Sequence, residues 1–235
     1  MIMGFVFILT YACKKDDTNN NTSNIADLVF NESLVYGTIK DYDNNVYKTI
    51  KIGTQTWMAE NLRTTHYANG KVIPEVIINE SWATIKTGAY SNYNNDINYS
   101  AKLGNLYNFY AVFDTSKLCP IGWHVPTDLE WSTLTSYLGG DSIAGGKLKE
   151  AGLTHWNTPN TNATNLSGFT AVPNSFRDFT GAFFSLHNNY GYWWSSSKNG
   201  SNAYYRSILY DESKMGKQSE NLNDGFSVRC LRDSI

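Results

Sequence analysis

The sequence predicts an α+β fold of short antiparallel strands with a few helices. Three observations carry this reading. Brief apolar–polar alternations recur between Asn- and Gly-rich turns, as half-buried strands require. One segment, residues 127–140, carries a full set of helix start and stop signals. No fixed-period repeat runs through the chain, which sets aside solenoids and propellers.

The elements follow in order. Val35-Tyr36-Gly37-Thr38-Ile39 has strand character, and Asp43-Asn44-Asn45 is a turn. Val46-Tyr47-Lys48-Thr49-Ile50-Lys51-Ile52 alternates, Gly53-Thr54 reverses the chain, and Gln55-Thr56-Trp57-Met58 returns, so an antiparallel meander is expected. Val76-Ile77-Ile78 and Trp82-Ala83-Thr84 read as short elements. Residues 90–99, rich in Tyr, Asn and Asp, read as a solvated surface loop throughout. Its amides and tyrosines also suit a sugar, and its Asp and carbonyls calcium.

Residues 106–113 place apolar and aromatic residues at helical spacing and read as a short helix. Thr127 is an N-cap with Glu130 positioned to complete a capping box, and Pro126 blocks extension backwards. Leu129, Leu134, Tyr137 and Leu138 are expected on its buried face, and Gly139-Gly140 stops it. Residues 143–151 read as a further helix, residues 169–173 as a short strand, and residues 192–196 as aromatic and β-prone. Residues 203–210 alternate, and residues 226–231 form the last strand.

Composition narrows the partners. The net charge is −2 and charged residues are 17%, against roughly 25% in ordinary soluble domains. Asn, Ser, Thr and Tyr supply the polarity, and no basic stripe is present, so no nucleic-acid partner is expected.

The amino terminus reads as an address. The apolar run 4–9 is too short to span a bilayer and has the character of a signal-peptide h-region. Thr10-Tyr11-Ala12-Cys13 resembles a lipobox, with Cys13 the acylated first mature residue, so the membrane is a partner through lipid. Lys14-Lys15-Asp16-Asp17 resembles the surface-export signal of lipoproteins in the Bacteroidota, with Lys15, Asp16 and Asp17 as the signal residues. The expected organisation is a signal peptide at 1–12, a flexible tether at 13–34 and a domain at 35–235, lipid-anchored in the outer membrane and facing outward. The other two cysteines, Cys119 and Cys230, read as a disulfide in an exported chain. Two separate buried thiols are the other reading.

A further set of motifs occurs in one order: Cys119-Pro120-x-Gly122-Trp123-His124-Val125-Pro126, Ala144-Gly145-Gly146-Lys147-Leu148-Lys149, His155-Trp156, Asn165-x-Ser167-Gly168-Phe169, Trp193-Trp194-Ser195-Ser196 and Gly225-Phe226-Ser227-Val228-Arg229-Cys230. The series resembles the Fibrobacter succinogenes major paralogous domain, found on exported bacterial proteins. The resemblance covers residues 36–233 and implies a fold related to sulfatase-modifying factors and, more remotely, to C-type lectins. Relatives carry Gly-Gly after the proline where this chain has Asn174-Ser175, a change a left-handed Asn accommodates.

The resemblance brings in two chemistries to weigh. Copper-dependent formylglycine-generating enzymes use a reactive cysteine pair, and iron-dependent relatives use clustered histidines. Here His66, His124, His155 and His187 are scattered, and no nucleophile elbow or phosphate loop occurs. No catalytic residue, metal or cofactor is therefore assigned. Leu222-Asn223-Asp224 faintly echoes a lectin calcium run but reads as an Asx turn.

An aromatic cluster is the binding candidate: Tyr192, Trp194, Arg177 and Tyr205, with Tyr190, Trp193 and Tyr204 nearby. Of Trp193 and Trp194, one is expected to face inward and the other outward. The expected function is a non-catalytic surface lipoprotein that binds a glycan or protein outside the cell. A metal-dependent oxidoreductase and a structural envelope component are the alternatives. Asp141-Ser142-Ile143 also resembles a short O-glycosylation acceptor, with a loop serine as the plainer reading.

Overall fold

The computed structural model describes residues 25–184 and 188–234. Cys13, the segment 1–12, the export signal Lys15, Asp16 and Asp17, and His187 lie outside the described residues.

The chain opens with the expected meander: β1 (Gly37–Lys40), β2 (Val46–Ile52) and β3 (Gln55–Met58), all antiparallel. Asn44 sits at φ 64° in the first turn, and Asp41 receives the Asn45 amide at 2.9 Å, which closes the hairpin.

Helix α1 (Asn79–Thr84) follows, then β4 (Tyr90–Ser91), a 3₁₀ turn at Tyr93–Asn95, α2 (Ile97–Leu103), β5 (Leu106–Asn108) and α3 (Phe109–Val112). Two expectations are corrected here. Residues 90–99 are not a surface loop throughout, because Tyr90, Ser91, Asn92 and Tyr93 are buried. Their polar groups are put to local use: Asn92 donates to Glu75 at 2.8 Å, and Asp96 caps α2 by accepting from the Asn98 amide. Residues 106–113 are not one helix. Asn108 ends the strand and caps α3 by accepting from the Ala111 amide at 3.0 Å.

Beyond β6 (Trp123–His124) come α4 (Asp128–Tyr137) and α5 (Asp141–Leu148). The capping box forms as expected, with Thr127 accepting from the Glu130 amide and Glu130 from the Thr127 amide. The expected buried face is rotated. Trp131, Leu134, Thr135 and Leu138 face inward at i, i+3, i+4 and i+7, while Leu129 and Tyr137 are 76% and 66% exposed. Ser142 lies in the exposed first turn of α5 rather than in a loop. The glycines of α5 permit close approach: a Cβ at Gly145 would fall 2.5 Å from the Lys214 carbonyl oxygen, and one at Gly146 2.6 Å from that of Asn162.

The remaining strands are β7 (Phe176–Arg177), β8 (Phe183–Phe184), β9 (Tyr190–Asn199), β10 (Asn202–Leu209), β11 (Met215–Asn221), β12 (Gly225–Phe226) and β13 (Leu231–Arg232). Residues 169–173 are not a strand. Asn165 turns the chain by accepting from the Thr170 amide, Thr170 takes φ 53°, and only Ala171 makes a bridge, to Lys149. Residues 226–231 are two short strands in different sheets, separated where Arg229 turns inward. Strand β11, polar and largely exposed, gave no apolar alternation to detect.

Among the described residues three sheets result, with orders β1-β2-β3-β13-β6, β11-β10-β9 and β4-β5-β12-β7-β8. The β9–β10 hairpin lies between two hydrophobic clusters. One holds Tyr107, Phe109, Trp194, Tyr205 and Phe226, and the other Trp57, Trp131, Phe169, Trp193 and Ile208. Cys119 and Cys230 form a disulfide with Cα atoms 5.9 Å apart. At the amino-terminal side the chain lies against the domain. The buried Glu150–His155 pair receives the Val29 amide and reaches the Ala26 carbonyl, and Phe30 packs on the second cluster. Among the described residues no helix is long and apolar enough to cross a membrane.

Candidate aromatic binding site

A cavity of about 220 Å³ opens at the seam between the β9–β10–β11 sheet and the sheet containing β12, β7 and β8. Its walls are Phe176, Tyr192, Tyr205 and Phe226, and Phe179 and Phe184 stand exposed at its rim. Strand alternation builds the walls. Tyr192 and Tyr205 come from paired antiparallel neighbours and point the same way, because strands alternate side chains between faces. Tyr192 stacks on Phe226 at 5.5 Å and meets Phe176 edge-on at 5.1 Å, and Tyr205 lies 4.7 Å from Phe226.

Three carboxylates complete the lining. Asp178 sits in the β7–β8 turn, Glu220 near the end of β11, and Asp224 in the turn before β12. Asp224 is 3% exposed. Burial pushes its carboxyl up to about 7, and the charges of Glu220 and Asp178 push the same way. Backbone amides of Phe179 and Asn221 pull against them. Burial also raises the Tyr205 phenol to about 12, with Glu220 and Asp224 adding to the effect, and its hydroxyl donates to Gln218 at 2.6 Å.

Of the four residues expected to bind, Tyr192 and Tyr205 line the cavity, and Trp194 and Arg177 do not. Trp194 is fully buried behind the wall, 4.5 Å from Phe226, and its indole donates to the Tyr107 carbonyl at 2.7 Å. Arg177 is fully buried and points away. It donates to the carbonyls of Val76, Ile77 and Gly181 and to Asn79, between the rings of Trp82 and Phe183. Burial lowers its guanidinium to about 10. The expectation that one of Trp193 and Trp194 faces outward is corrected: both are 0% exposed, because each face of β9 meets a cluster.

Residues 50–232 match the model of the Fibrobacter succinogenes major domain. The chain belongs to this family. No curated protein and no solved structure matches it. In this Fibrobacter succinogenes major domain the matched span contains every residue that lines the cavity and both cysteines of the disulfide. Several of its ordered motifs prove to be structural. The Gly145-Gly146 pair seats α5, Asn165 forms a turn, Trp156 donates to the Ala171 carbonyl at 2.9 Å, and Arg229 is an interior hydrogen-bond donor.

Sequence reasoning missed Phe176, Phe226, Asp178, Glu220 and Asp224. The signal available was the Asn223-Asp224 turn. The Asx turn is made by Asn221, whose side-chain oxygen accepts from the Asn223 backbone amide at 2.9 Å, while Asn223 accepts from Lys86 at 2.8 Å and its amide group donates to the Trp82 and Ile85 carbonyls at the end of α1. The adjacent carboxylate is thereby turned toward the aromatic wall. Elsewhere, His124 bridges Glu130 at 3.0 Å and Asp233 at 2.5 Å. Among the described residues no group of three or more His, Cys, Asp and Glu side chains could hold a metal ion.

Proposed function

We propose that this chain is a non-catalytic, surface-exposed lipoprotein whose domain binds an extracellular ligand in the aromatic cavity at Tyr192 and Tyr205. The observation that carries this reading is the cavity itself: four aromatic walls converge on one concave site with polar groups at fixed positions, the usual form of a small-ligand site. The closed Cys119–Cys230 pair favours it over copper chemistry, since sulfur held in a disulfide is not a free thiolate ligand. The lectin-like kinship of the fold, the lipid on Cys13 and the export role of Lys15, Asp16 and Asp17 are parts of the same proposal.

Two experiments test it. Glycan-array and envelope-protein binding by the purified protein should show a ligand that Tyr192→Ala loses; silence across both panels overturns the binding role. In cells, Cys13→Ala should abolish fatty-acid labelling and release the protein from the membrane. Continued labelling of that variant would remove the anchor assignment.

A further inference from the structure

We infer that the aromatic cavity receives an organic cation, an alkylammonium group, which deepens the binding role proposed above and rests on it. Aromatic ring faces carry negative potential and attract cations placed over them, most strongly where water is excluded. Tyr192, Tyr205, Phe176 and Phe226 present such rings around one space. Asp178 and Glu220 add negative charge at its edge, Asp224 is a third acid whose charged form a bound cation would favour, and none of the three makes an ion pair among the described residues. No Lys, Arg or His lines the cavity, and the nearby Arg177 spends its donors on carbonyls elsewhere. The site is thus a negative, apolar-walled space with no cation of its own.

The same features exclude other occupants. A hard metal ion needs several oxygens converging at short range, and the three carboxylates do not form such a group. An anion would meet three acids. A long oligosaccharide exceeds the space, since about 220 Å³ falls below the roughly 300–1,000 Å³ of pockets for drug-sized ligands. A compact cation clothed in methyl or methylene groups meets both demands, with its skin against the rings and its charge beside the acids.

The test is calorimetric titration of the purified protein with choline, tetramethylammonium and n-butylammonium. The neutral isostere 3,3-dimethyl-1-butanol is the control, and phosphatidylcholine vesicles distinguish a lipid headgroup from a free cation. At least one cation is expected to bind about tenfold or more tightly than the neutral isostere. Glu220→Gln, at an exposed position, is expected to weaken it about three- to fivefold. Binding of the isostere as tight as that of choline, or no effect of Glu220→Gln, overturns the cation assignment. If a neutral ligand is bound and Tyr192→Ala abolishes it, the pocket reading survives and the cation assignment falls. If no ligand responds to Tyr192→Ala, both fall.

Discussion

The Nε of Arg229 donates to Asn61 Oδ1 at 2.6 Å in the fully buried interior. The same oxygen accepts from the Trp193 indole at 2.8 Å. Arg229 also donates to the Phe169 and Thr170 carbonyls and lies 4.4 Å over the Phe169 ring, and burial lowers its guanidinium to about 9. Asn61→Ala would strand two buried donors at once. A loss of about 2–4 kcal/mol in unfolding free energy is expected, read from urea melts followed by tryptophan fluorescence. Asn61→Asp is expected to fall between the parent and Asn61→Ala, since a carboxylate keeps both accepted bonds and pairs with the cation but sets its second oxygen against the Leu103 carbonyl, which accepts from the Asn61 amide at 2.7 Å.

The disulfide closes a separation of 111 residues. Replacing both cysteines by serine is expected to cost about 4–5 kcal/mol in the chain-entropy model. Comparing melts with and without reductant checks this, and alkylation before and after reduction should show that the pair is closed in the native protein.

How far the fold could be read ahead depended on how many faces of an element are buried. The β2–β3 hairpin is legible because β2 twice sets a more exposed residue between two buried ones, Lys48 between Tyr47 and Thr49 and Lys51 between Ile50 and Ile52. Alternation misplaces one of Trp193 and Trp194 because it assumes one wet face, and β9 has none at these two residues. Arg177 and Arg229 were opaque for a related reason: a charge is ordinarily taken as exposed, and only tertiary contact shows carbonyls collected around it. The cavity was half visible. Tyr192 and Tyr205 stand out as aromatic strand residues, while Asp178 and Asp224 come from separate turns and Glu220 from the end of β11, a convergence that no local pattern records.

His124 is held above the usual imidazole range, first by its hydrogen bond to Glu130 and then by Asp233. Burial opposes the ionisation of Glu130, but His124 and the Thr127 cap outweigh it and draw the carboxyl to about 2. The raised histidine contributes stability that is complete below about pH 6.5 and lost as pH rises through its folded value. The depressed glutamate contributes above about pH 4.5 and is lost as pH falls towards 2. Stability from this pair should therefore plateau between about pH 4.5 and 6.5. His124→Gln should flatten the decline on the alkaline side by no more than about 1 kcal/mol, since the group is about one-third exposed.

Asp224 titrates with the opposite consequence from an ordinary paired carboxylate. Its folded value, about 7, lies above the unfolded 3.8, so the native state loses stability as pH rises between them. The neighbours that face it, Glu220 and Asp178, also carry negative charge. Asp224→Asn is expected to be more stable than the parent at pH 8, by at most about 4 kcal/mol, with the difference vanishing below about pH 4. Thermal melts across that range decide it; a parent more stable than the variant at pH 8 contradicts the assignment.

Trp193 and Trp194 are joined by one peptide bond, yet each belongs to a different hydrophobic cluster. Neither cluster can loosen without dragging the backbone that carries a tryptophan of the other. The domain that holds both clusters is therefore built to unfold all at once: near-ultraviolet dichroism, fluorescence and calorimetry should trace one coincident transition, with no half-melted species populated between its ends.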